Sequence, residues 1–241
     1  MKERIGYLAW VVGVAQFFVV HGIVESAWAR PAYSWARNNI SDLGNVHCGL
    51  RTWPESRYIC SPDHGLMNGS FIALGVLLVV GFVLTGGAGG IGGGVPWLGG
   101  RVAALARMLL VSGGVGFVLI GLAPTDVHKG LHVVGAALIM GTGNAGLVLA
   151  GFGLADRVPR PLRRAAGLLG VVALLAFGLF LSGHYLGLGM GGMERVAAYP
   201  LLFWVAALGL WGVVLRAGRT RAAVAEVRAG GDPVGPGSAG G

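Results

Sequence analysis

Asp42, Asp126, His132 and Glu194 are acid–base side chains placed at the ends of long apolar segments. Gathered at one place, such carboxylates and an imidazole could move protons or hold a divalent metal that polarises a substrate. They are the candidate catalytic set. Asp126, His128 and His132 have the spacing of a metal-ligand group, since residues four apart share one face of a helix. His21 and Glu25 repeat that interval in the first apolar segment. Asn39, Ser41, Arg195, His184, His64, Glu25 and His21 are the surrounding polar groups that would bind a substrate. Arg195 is the natural partner for Asp42 or Asp126, because a carboxylate at membrane depth needs a counter-charge.

The elements that must position these groups are apolar. Of 241 residues, 54% are hydrophobic and 12% charged, and the mean hydropathy is +0.71. A soluble globule carries about 25% charged residues, so that class is excluded. Six segments of spanning length run roughly over 5–27, 65–86, 101–123, 131–153, 165–187 and 197–216. In lipid the backbone must satisfy itself, so the fold class is an all-α polytopic transmembrane bundle of six helices over residues 1–216. The first segment ends in Ala27-Trp28-Ala29, as a signal peptide does, but it is long for one and is read as a retained helix.

Charge sets the orientation. One side collects Lys2, Arg4, Arg101, Arg107, Arg157, Arg160, Arg163, Arg164, Arg216, Arg219, Arg221 and Arg228, and the other Arg30, Arg37, Arg51, Arg57, Lys129 and Arg195. Twelve against six predicts that both termini are cytoplasmic and the loop 28–64 lies outside. The net charge of +8 is spent on that asymmetry, and no compact basic domain remains for a nucleic acid. Cys48 and Cys60 share the outer loop without a zinc pattern around them, which predicts a disulfide on an oxidising face. Residues 86–100 read as a glycine-rich linker and 217–241 as a disordered cytoplasmic tail. No nucleophile elbow, HExxH, phosphate loop or dinucleotide fingerprint is present.

All six histidines, His21, His47, His64, His128, His132 and His184, map to the outer half. Clustering of ionisable groups there predicts an outward-facing polar cavity. The segments Asn39-Ile40-Ser41-Asp42-Leu43-Gly44, Ala123-Pro124-Thr125-Asp126 with His132, and Gly192-Met193-Glu194-Arg195 resemble the three signatures of the DUF998 family of prokaryotic membrane proteins. The resemblance covers most of residues 5–216. It implies a multi-helix membrane architecture and a site around Ser41, Asp42, Asp126, His132, Glu194 and Arg195, and it implies no chemistry.

Three readings stand at this point. The first is an intramembrane enzyme of the cell membrane acting on a lipid, isoprenoid-like or other small amphipathic substrate. Its chemistry would be carboxylate/His acid–base or metal-assisted. The second is a protein that binds or transports a small molecule, ion or lipid. The third is a structural accessory protein, in which Asp42, Asp126 and Arg195 join loops. A cavity at the cluster separates the first two from the third.

Overall fold

The structure, a computed structural model, describes residues 2–29, 31–52, 56–85, 100–154 and 158–229. Its helices are α1 (Lys2–Ala27), α2 (His64–Thr85), α3 (Gly100–Leu122), α4 (Lys129–Ala137), α5 (Asn144–Gly153), α6 (Arg160–Leu181) and α7 (Gly189–Ala229). A π-helical segment, Leu138–Gly143, joins α4 to α5, so the three together make one span. Six helical spans among the described residues are long and apolar enough to cross a membrane. They pack as a closed ring in chain order, with α7 returning to α1. Trp10, Phe17, Phe71, Phe82 and Trp204 fill its centre, each almost fully buried.

Lipid tails are as apolar as leucine, so helices in a membrane associate through close packing rather than the hydrophobic effect. Gly75 of α2 shows how this is achieved. A methyl group there would lie 2.5 Å from the Gly114 carbonyl of α3. The two backbones meet with no side chain between them.

Between α1 and α2 the chain folds over one end of the ring. A 3₁₀ turn spans Ser41–Gly44, and β1 (Gly49–Arg51) pairs antiparallel with β2 (Arg57–Ile59). A Cys48–Cys60 disulfide closes this hairpin beside the Gly49↔Ile59 pair. Leu43 and Ile59 are sealed into the core. The Ser61 hydroxyl donates to Leu43 O, and Asn68 Nδ2 donates to Gly44 O. The loop is thus a packed cap.

Several boundaries differ from the sequence expectation, and α6 begins at Arg160, five residues early. α6 stops at Leu181, six residues early, because Gly183, Leu186, Gly187 and Gly189 take positive φ and turn the chain. α7 starts at Gly189, so Glu194 and Arg195 stand inside a helix and not in the loop before it. The helical backbone of α7 also continues through 217–229, where an unstructured tail was expected. Residues 86–99 of the expected linker and 230–241 of the tail lie outside the described residues.

Candidate functional site

The site lies under the cap. Glu194 and Arg195 sit roughly 8–9 Å into α7, at 1.5 Å per residue. Arg195 reaches the loop from below. Its Nη1 donates to Trp35 O at 3.0 Å, Asn38 O at 3.0 Å and Gly191 O at 2.8 Å. Its Nη2 donates to the Tyr33 hydroxyl at 2.5 Å. The guanidinium also lies over Trp35, 4.6 Å from the ring centroid, and 5.6 Å from that of Tyr33. A planar fork that donates at its edge while stacking on its face is a task for Arg, not Lys. Burial pushes the Tyr33 hydroxyl above its ordinary range against the pull of Arg195. It keeps its proton and donates it to Asn39 O at 2.9 Å. Gly191 is required here because a Cβ would run into the Asn38 and Trp35 carbonyls that Arg195 holds.

Asp42 is buried and paired twice with Arg57 of β2, Nε to Oδ2 at 2.9 Å and Nη2 to Oδ1 at 3.0 Å. It also accepts from the Asn39 backbone N–H at 3.0 Å. Asp126, in the turn before α4, accepts from the Val46 and His47 backbone N–H groups at 3.2 and 2.7 Å and meets the His47 imidazole at 3.0 Å. Burial pushes the Asp126 carboxyl up, but those hydrogen bonds outweigh it and hold the group below its ordinary value. The disulfide-closed hairpin is therefore pinned by two carboxylates, Asp126 on the residues that lead into it and Asp42 on Arg57 at its turn end.

Behind the cap is a cavity of about 30 Å³. Ser41, His132, Glu194 and Tyr199 bring polar atoms to a lining otherwise made of apolar side chains such as Phe17, Phe71 and Phe117. Ile139 and Met140 of the π-helical segment line it too. π-bulges are frequent at functional sites, since they re-aim side chains that a regular helix would point elsewhere. His132 Nδ1 lies 2.9 Å from Ala123 O. A carbonyl can only accept, so Nδ1 carries the proton and neutral His132 has its lone pair on Nε2. Glu194 Oε2 accepts from the Ile40 N–H at 2.5 Å. Among the described residues no partner is seen for His132 Nε2 or Glu194 Oε1. Each side chain spends one polar atom on the fold and lines the cavity.

The family model for DUF998, a protein of unknown function, matches residues 11–211. The chain belongs to the DUF998 family. No curated protein and no solved structure matches it. The three segments on which the sequence resemblance rests meet here: the Ser41–Gly44 turn, the Asp126 turn with His132, and the Glu194-Arg195 pair.

The structure sorts the expected site residues. Ser41, Asp42, Asp126, His132, Glu194 and Arg195 stand at one end of the bundle, linked directly or through neighbouring loop residues. Arg195 was expected to pair with Asp42 or Asp126; it binds backbone carbonyls and the Tyr33 hydroxyl instead. Asn39 contributes its backbone to Asp42 and Tyr33. His21 and Glu25 reach the same end. His64 is tied to Ser61 O and His184 to the Ser182 hydroxyl, in their own turns. The metal set His128, His132 and Asp126 does not assemble. His128 is exposed, His132 points back at Ala123, and Asp126 faces His47. Among the described residues no group of three His, Cys, Asp or Glu is placed to hold a metal ion. Tyr33, Trp35, Arg57 and Tyr199 complete the site and were not singled out from sequence.

Proposed function

We propose that this DUF998 protein is a multi-pass protein of the cell membrane with cytoplasmic termini, which receives a proton or a small polar solute in a capped acid–base cavity at its outer end. The twelve-to-six Lys/Arg asymmetry supports the orientation. A disulfide-closed hairpin suits the oxidising face. One observation carries the functional reading: two ionisable side chains, His132 and Glu194, line the same largely apolar cavity. Ionisable groups at membrane depth are costly and mark function. At about 30 Å³ the cavity takes about one or two water molecules.

The enzyme reading uses the same groups, with His132 Nε2 as base and the Glu194 carboxyl as acid. Their shared, largely apolar enclosure favours it, since exclusion of water strengthens such chemistry. A lipid or isoprenoid-like substrate would need the cap to lift, so this reading comes second.

The test is an infrared pH titration of the protein in lipid nanodiscs. A carboxylic-acid band should titrate in the wild type and vanish in Glu194→Gln, which keeps an acceptor for Ile40 N–H and should fold. Glu194 showing no titration wherever the protein is folded would make it a fixed structural acceptor and overturn the reading.

A further inference from the structure

Beside the signature segments, three polar side chains step from the surface to the cavity. Glu25, near the end of α1, has a side chain 27% exposed. Its Oε1 accepts from Trp35 Nε1 at 2.6 Å, and its Oε2 lies 3.6 Å from His21 Nδ1. His21 is buried, and its Nε2 lies 3.4 Å from the Tyr199 hydroxyl. Tyr199 in turn lines the cavity with Glu194 and His132. Both nitrogens of a buried imidazole thus face groups that exchange protons. The surroundings otherwise ask for an apolar residue, since Phe17 packs against His21 and Phe18 against Tyr199.

The groups that face His21 can be named element by element. Glu25 lies on its own helix, Arg195 and Tyr199 on α7, and the rings of Tyr33 and Trp35 approach edge-on from the loop. Asp42 in the 3₁₀ turn is occupied by Arg57, and His64, the one titratable residue of α2, by Ser61 O.

We propose that Glu25, His21 and Tyr199 form a proton relay between the aqueous surface at the capped end and the cavity; it rests on the reading of Glu194 and His132 as cavity groups. A proton taken from water by Glu25 passes to His21 Nδ1. His21 releases its Nε2 proton to the Tyr199 oxygen, and the Tyr199 hydroxyl proton goes on through a cavity water to Glu194 Oε1 or His132 Nε2. One proton moves inward and no other bond changes. The ring is reset when a proton leaves the cavity by the same transfers in reverse, Tyr199 returning a proton to Nε2 as Glu25 takes the one on Nδ1. The cavity is large enough for the bridging water.

The experiment is a pH jump on the full chain in nanodiscs, following the Glu194 carboxyl band in time. Tyr199→Phe keeps the ring and removes the relay oxygen; His21→Gln and Glu25→Gln test the other steps, and a thermal melt checks each fold. The relay predicts that Tyr199→Phe and His21→Gln slow Glu194 protonation roughly a hundredfold or more, the scale of one positioned proton-transfer group, with the titration midpoint unchanged. Unchanged rates in folded variants whose Glu194 still titrates would overturn the relay and leave the cavity reading standing. A wild-type Glu194 that does not titrate would overturn both.

Discussion

Replacing Arg195 with methionine keeps the unbranched apolar stem of the side chain and removes its charge and its donors. The structure lets the cost be worked out. Three carbonyl contacts, one hydroxyl contact and a stacked Trp35 are lost together. Hydrogen bonds to charged groups contribute about 1.5–3 kcal/mol each in soluble proteins, while polar contacts in membrane proteins average about 0.6 kcal/mol. Four bonds and one cation–π contact of about 1 kcal/mol therefore give about 3–6 kcal/mol, allowing for the lower membrane value. At about 2–4 °C per kcal/mol for a chain of this size, Arg195→Met should melt roughly 6–24 °C below the wild type in nanodiscs. Arg195→Lys should recover only part of the loss, because an ammonium can neither fork between carbonyls nor stack on Trp35 as a plane. Protease sensitivity of the 31–52 segment should rise in parallel. An Arg195→Met protein that melts within about 2 °C of wild type, with its loop still protected, would refute the clamp.

Three further outcomes follow from the cap. Reducing Cys48–Cys60, or replacing both cysteines by serine, should cost about 3 kcal/mol by the chain-entropy argument for a short closed loop; reductant should then leave the melt of the double serine variant unchanged. Asp126 is held below its ordinary value of 3.8, so its contribution is complete above that pH and is lost as pH falls through the folded value. Asp126→Asn should accordingly flatten the acid limb of the stability–pH curve. Gly191→Ala would drive a methyl group into the Asn38 and Trp35 carbonyls and should lower the melting temperature much as Arg195→Met does.

The spans were legible because apolar length alone specifies them, and the signature segments because their Asp, His, Glu and Arg are conspicuous against leucine and glycine. The partners were not. Arg195 binds carbonyls, which every residue carries, so its place between α7 and the loop left no mark in composition. Arg57 is one of four loop arginines and only the hairpin register aims it at Asp42. Tyr199 and Tyr33 read as ordinary aromatic residues of a membrane protein. Glu194 and Arg195 were assigned to a loop because a run of glycines precedes them, whereas those glycines form the start of α7. Asp126 looked like a metal ligand or a helix cap and is instead the receptor for two loop N–H groups.

Nitrogen-15 NMR of histidine-labelled protein in nanodiscs tests most directly whether His132 and Glu194 share one acid–base cavity. Neutral His132 should appear as the Nδ1–H tautomer, with an Nε2 resonance that shifts in Glu194→Gln while the Nδ1–H signal stays in place. An Nε2–H tautomer, or an Nε2 resonance indifferent to Glu194, would contradict the shared cavity and the function drawn from it.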